Sequence, residues 1–169
     1  MRLLVGPLEH VPALCEAHRP SHLVSWLSPP AESPEVALTF PPERRLLLAS
    51  HDVAFELEGY QAPSDLDVAR LLAFASEWDG ARPMLVHCWA GVSRSTAAAY
   101  AIACARSRRP ELELALALRE ASPGATPNPL IVALADARLG RGGRMIEAMA
   151  QIGRGAEVFL GEPFELRLA

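Results

Sequence analysis

Hydrophobic positions fall in short bursts through the first half of the chain and in longer stretches after it. Arg2–Gly6 is an apolar run stopped by Gly6-Pro7, which predicts a strand. Leu8–Ala17 then predicts a helix. Ser21–Ser28, with Leu23, Val24, Trp26 and Leu27, predicts a second strand, ended by Pro29-Pro30. A loop rich in Pro, Glu and Ser runs on to Pro42; it is long for a compact domain, which points to a functional or mobile segment. Arg45–Val53 is the third predicted strand, with His51-Asp52 at its end, and an extended loop, Ala54–Pro63, follows.

Ser64 reads as a helix N-cap, with Asp65 and Asp67 placing negative charge in the first turn. The helix is expected to reach Trp78 and to bury Leu66, Ala69, Leu72 and Ala73; Asp79-Gly80 ends it. Met84–His87 is a further strand, and Ser95–Arg106 a helix of mostly small residues. Glu111–Leu118 alternates with period two, the period of a strand. Every residue there is a good helix former and none is β-branched, so a helix is predicted. Pro123–Pro129 reads as a turn, Leu130–Leu139 and Arg144–Ile152 as helices, and the apolar tail Val158–Leu168 as a segment docked on the surface. Strands alternating with helices, then helices alone, give an α/β class. No repeat or linker divides the chain, so residues 1–169 are expected to form one domain.

Composition narrows the setting. The net charge of −4 offers no basic footprint for nucleic acid. All 16 cationic side chains are arginine, which suggests a GC-rich bacterial source. Three scattered cysteines, Cys15, Cys88 and Cys104, do not suit a disulfide scaffold. Glu9, His10 and Pro12 interrupt the apolar run a signal peptide needs, and no segment is long enough to span a membrane. A cytoplasmic protein without a membrane partner is expected. Cys15, His18 and His22 have a spacing compatible with one helical face, but Pro20 breaks that helix and no fourth ligand is evident, so no metal is expected.

The chemistry concentrates in Met84–Thr96: an apolar strand, a small-residue loop, and the start of an Ala-rich helix. The loop opens with Cys88 and closes with Arg94, with five residues between them. Successive N–H groups in such a loop form an anion-binding nest, and the helix N-terminus adds its free donors and positive dipole end. Arg94 has the planar fork that grips two phosphate oxygens. Cys88, beneath that anion, would be stabilised as a thiolate and aimed at phosphorus.

The string His87-Cys88-Trp89-Ala90-Gly91-Val92-Ser93-Arg94-Ser95 resembles the signature of the cysteine-based protein tyrosine phosphatases, most nearly the dual-specificity branch and its bacterial relatives. The resemblance covers residues 40–140 best. It implies a central, mainly parallel sheet of four or five strands flanked by helices, and hydrolysis of phosphomonoesters, phosphotyrosine or phosphoserine/threonine of proteins, through a phosphocysteine. Cys88 would be the nucleophile, Arg94 the phosphate clamp, and Trp89, Ala90, Gly91, Val92 and Ser93 the source of backbone donors. Ser95 would bond the thiolate and ease its departure, or serve as a first-turn cap. His87 would order the loop from below. The family draws its general acid from a loop upstream of the cysteine; Asp52, 36 residues before Cys88, is the matching choice, with Glu56 and Glu58 as rivals on the same loop. Asn128, in Pro127-Asn128-Pro129, would brace the phosphate loop or simply make a turn. Trp89 would face the substrate or pack beneath it. Neither cofactor nor metal is called for; the partner is a phosphorylated protein or small phosphomonoester.

Three other readings fit less well. A rhodanese uses a shorter cysteine loop. Phosphatases of highly phosphorylated inositols or lipids often carry lysines in the loop, and this one has none. A non-catalytic phospho-ligand module would be expected to lack Cys88 or Arg94.

Overall fold

The computed structural model describes residues 1–168. Its centre is a five-stranded sheet: β1 (Arg2–Pro7), β2 (His22–Leu27), β3 (Arg45–Ala49), β4 (Met84–Cys88) and β5 (Phe164–Arg167), in the order β3-β2-β4-β1-β5. The first four run parallel, and β5 pairs antiparallel with β1. Six α-helices accompany them: α1 (Val11–His18), α2 (Asp65–Glu77), α3 (Arg94–Arg106), α4 (Glu111–Ala121), α5 (Pro129–Arg138) and α6 (Arg144–Ile152). None is long and apolar enough to cross a membrane.

The strands are apolar on both faces because both faces are covered. Leu4, Leu23 and Leu85 stand in register and form one row, packed with Val11 of α1 and with Ala37 and Phe40 of the long loop. That loop is shaped by 3-10 turns at Glu35–Thr39 and Pro42–Arg44. The alternate positions Leu3, Val5, Val24, Trp26, Met84 and Val86 face the larger core, with α2 to α6. Within that core α3 is buried from Arg94 to Cys104. Its run of alanines lets the sheet and three helices approach it from all sides, as a helix without a polar face requires.

Three elements differ from the sequence reading, and a fourth, Glu111–Leu118, agrees with it. The strand expected over Arg45–Val53 stops at Ala49: the Ser50 N–H makes the last bond to β2, at the Leu27 carbonyl, and His51 pairs instead with Gln61 across the base of the next loop. The first helix of the larger core, α2, buries Val68, Leu71, Ala75 and the following Trp78, rather than Leu66, which is 68% exposed. The helix starts where the cap places it, with Ser64 accepting from the Asp67 N–H and the Asp67 carboxylate accepting from the Ser64 N–H, and its inward face is the one that packs Val68, Leu71 and Ala75 into the larger core. The tail expected to dock on the surface instead ends in a strand, β5, adding to the sheet edge. Glu111–Leu118 is helical, within α4, despite its two-residue period.

Candidate active site

Cys88 is the last residue of β4, at the carboxyl end of the parallel strands, where open α/β sheets bind ligands. The chain turns through residues 89–93 and enters α3 at Arg94. Gly91 makes the turn possible. Its φ is +70°, and a Cβ there would stand 2.5 Å from the Pro7 nitrogen. The loop is thus pressed against the end of β1, and the Leu8 N–H donates to the Trp89 carbonyl at 3.1 Å.

Cys88 is 2% exposed. Its Sγ accepts from the Gly91 N–H at 3.2 Å and lies 3.1 Å from the Ser95 hydroxyl. Below it, His87 is fully buried, with Nε2 2.6 Å from the Ser25 hydroxyl and Nδ1 3.4 Å from the Cys88 carbonyl. A carbonyl only accepts, so Nδ1 carries the proton and Nε2 accepts from Ser25. Burial holds the imidazole down to about 4, keeping it neutral at ordinary pH.

Arg94 is buried and anchored at one end of its guanidinium. Nη1 donates to the Ser50 carbonyl at 2.6 Å and to the Ser28 hydroxyl at 3.1 Å. Ser50 is itself fixed, since its hydroxyl accepts from the Trp26 indole at 2.7 Å. Arg94 Nε is buried with no partner among the described residues. A buried, unpaired guanidinium donor is costly unless an anion completes it.

Asp52 reaches this site from the loop after β3. Its Oδ1 accepts from the Ser93 hydroxyl at 2.7 Å and from Asn128 Nδ2 at 2.8 Å. Asn128 also donates to the Val53 carbonyl, and its Oδ1 caps α5 by accepting from the Leu130 and Ile131 N–H groups. Its backbone N–H donates to Ser93, and that of Thr126 to Val92. One residue therefore joins the phosphate loop, the Asp52 loop and a helix start. Glu56 and Glu58, the rivals to Asp52, line a separate groove with Tyr60, Asp65 and Leu134.

The cleft above Cys88 encloses about 420 Å³ and is lined by Ser28, Asp52, loop residues including Trp89 and Arg94, and two residues from far along the chain, Val158 and Phe159. Trp89 faces outward, half-exposed on the rim. Ser28, Ser50, Val158 and Phe159 were missed by sequence reasoning. The two serines directly follow the carboxyl ends of the parallel strands β2 and β3, and the sequence reading extends those strands through them. Outside this site, Cys15 is half-buried on α1, and His22 meets Ser21 and the Phe74 ring. Cys104, on α3, is 2% exposed, and desolvation pushes its thiol up to about 12.

Solved structures that share this architecture include two phosphatases. One is PTPMT1, with a TM-score of 0.55 at 16% identity over 83% of this chain and 94% of that one. The other is the PTP-2 phosphatase of Cydia pomonella, with a TM-score of 0.59 at 19% identity over 79% and 83%. The fold is that of the protein tyrosine phosphatases. No family model and no curated protein matches the chain. With this fold, the chemistry of the site rests on the residues themselves: a buried thiol, a loop N–H and a hydroxyl beside it, an anchored guanidinium, and a carboxylate at the rim.

Proposed function

We propose that the chain is a cysteine-dependent phosphomonoesterase acting through a phosphocysteine, with phosphorylated protein as the substrate class. The observation that carries this is the junction at Cys88. Its sulfur accepts from a loop N–H and lies within hydrogen-bond distance of a hydroxyl, at the N-terminus of a buried helix whose first residue is an anchored arginine. Core packing alone has no use for a buried guanidinium beside a buried thiol.

In the first step the Cys88 thiolate attacks phosphorus as the ester oxygen leaves. Asp52 delivers a proton to that oxygen, so the leaving group departs as a neutral alcohol or phenol. Because both fixed hydrogen bonds to Asp52 go to Oδ1, Oδ2 is the oxygen suited to carry the proton. Arg94 and the loop N–H groups take up charge on the equatorial oxygens. In the second step water attacks the phosphocysteine, Asp52 recovers a proton from it, and the sulfur leaves as thiolate with the Ser95 hydroxyl donating to it. His87 is a positioning residue: neutral and pinned to Ser25, it fixes the Cys88 carbonyl and thereby the entry to the loop. Asn128 positions Asp52.

The test is hydrolysis of a small aryl phosphate across pH, with reductant and without added metal. Wild type should turn over, Cys88→Ser should be inactive, and Asp52→Asn should lose the basic limb of the pH–rate profile. A folded wild type that binds phosphate or vanadate but shows no turnover would make the chain a phospho-ligand module instead.

A further inference from the structure

The cleft over Cys88 has a second wall for which the two-step reaction has no use. Residues 153–163 leave the end of α6, cross the mouth of the phosphate loop and enter β5. This strap is tied down along its length. Arg119 Nη2 donates to the Gly153 carbonyl at 2.7 Å, the Ala156 N–H to Pro123 at 2.8 Å, and the Gly161 N–H to Ala90 in the phosphate loop at 2.8 Å. Contact is close enough to exclude side chains. A Cβ at Gly155 would stand 2.4 Å from the Ala125 carbonyl, and one at Gly161 2.9 Å from the Gly91 carbonyl. At Gly124 a Cβ would meet Val158 at 2.6 Å.

Fixed on both sides, the strap holds Val158 and Phe159 over the cleft. Phe159 is 82% exposed, and its ring meets Trp89 edge-on, with centroids 5.6 Å apart and planes at 84°. An aromatic pair left open on a rigid frame favours covering by another apolar group. What covers it is constrained by the cradle below. A phosphate held at Cys88 and Arg94 puts its ester group between Asp52 and this wall. Among the described residues lining the cleft, Arg94 is the one cation and Asp52 the one anion. A substrate carrying further phosphates would find no charge to meet them, whereas a flat ring finds two aromatic partners in the edge and offset arrangements such rings prefer.

We propose that the strap is the specificity wall of the site, and that Phe159 with Trp89 selects the aryl ring of a phosphomonoester, as in a phosphotyrosine side chain. This rests on the phosphatase reading, and the test separates the two. Binding is measured by calorimetry on the Cys88→Ser protein, alone and combined with Phe159→Ala or Phe159→Tyr, using inorganic phosphate, phenyl phosphate and a long-chain alkyl phosphate. Phenyl phosphate should bind about tenfold more tightly than inorganic phosphate. Phe159→Ala should remove that advantage and leave inorganic phosphate unchanged, and Phe159→Tyr should restore it. In the active enzyme, Phe159→Ala should raise KM for aryl phosphates about tenfold with kcat little altered. Equal binding of phenyl and inorganic phosphate, or indifference to Phe159→Ala, overturns the aryl wall while the phosphatase reading stands. A Phe159-dependent preference for the alkyl chain also overturns it, by assigning the wall to lipid. A folded Cys88→Ser protein that binds no phosphate sinks both readings.

Discussion

The floor of the cleft and its rim are built in opposite ways. On the floor, Cys88, His87, Arg94 and Ser95 are all buried, and each is held by a hydrogen bond to a strand or helix terminus. On the rim, Asp52, Trp89 and Phe159 are exposed and come from three separate loops. On the proposed phosphatase reaction, the difference follows from what each would do. Charge that develops in the transition state is best met by dipoles already fixed in place, which needs burial. A leaving group that varies between substrates must be met by groups accessible from solvent. Substitutions on the floor should therefore affect every substrate, and substitutions on the rim should discriminate among them.

The strongest break in that comparison is Arg94→Lys. Arginine uses one nitrogen on Ser50 and Ser28 and keeps the rest of the fork for an anion. A lysine has a single point of charge and cannot do both. The kcat/KM should fall about a thousandfold on every phosphomonoester, a loss of about 4 kcal/mol of transition-state stabilisation. A loss confined to one class of leaving group would place Arg94 with the rim rather than the floor.

The floor should also reveal itself through stability. His87 is held down to about 4 by burial, so between that value and the ordinary imidazole range the unfolded chain binds a proton that the folded chain refuses. Stability is full above about pH 6.5 and should fall by about 3 kcal/mol as pH drops to about 4. Urea unfolding measured at intervals over that window should give the slope. His87→Gln should remove most of it. His22, lowered mainly by desolvation with Arg44 adding to it, supplies a remaining slope of the same sign. The ion pairs that lower Asp65, Glu111 and Glu165 add a slope of the same sign toward the acid end of the window, below about pH 5, so the His87 contribution is read above it.

Which parts could be read from sequence follows the same division. The floor is local: strand, cysteine, loop glycine, arginine and helix lie within thirteen residues, and their spacing carries the geometry. Asp52 was legible too, because it follows a strand end, and the structure brings it to Ser93 of the loop. Phe159 was not, because nothing local relates it to Cys88; its position depends on Gly124, Gly155 and Gly161 permitting close backbone approach. The tail was misread for a related reason. Phe164–Arg167 is short, and its pairing with β1 at the sheet edge is a tertiary contact without a periodic signal of its own. For α2 the start at Ser64 was legible, but apolar positions lie on more than one side of the helix, and packing against the core, not the cap, selects the face of Val68, Leu71 and Ala75.

Asn128 sits where floor and rim meet, so its substitution gives the smallest but most discriminating effect. It is 2% exposed and has two functions on opposite ends of one amide: Oδ1 caps α5, and Nδ2 holds Asp52. Asn128→Ala removes both and should cost about 1 kcal/mol of stability from the lost cap alone. Asn128→Asp separates them. An aspartate still accepts from the Leu130 and Ile131 N–H groups, so thermal stability should stay near wild type. It presents an oxygen to Asp52 Oδ1 where a donor stood, and Asp52 should swing away from the Ser93 side of the cleft. If Asp52 is the general acid, turnover of alkyl phosphates, whose leaving groups need the proton most, should fall about tenfold, while aryl phosphates with acidic leaving groups should change little. Measuring kcat across a series of leaving-group acidities reads this directly, as a steeper dependence in Asn128→Asp than in wild type. A uniform fall across the series would mean that Asn128 acts through the phosphate loop, by way of its backbone bond to Ser93, and belongs with the floor.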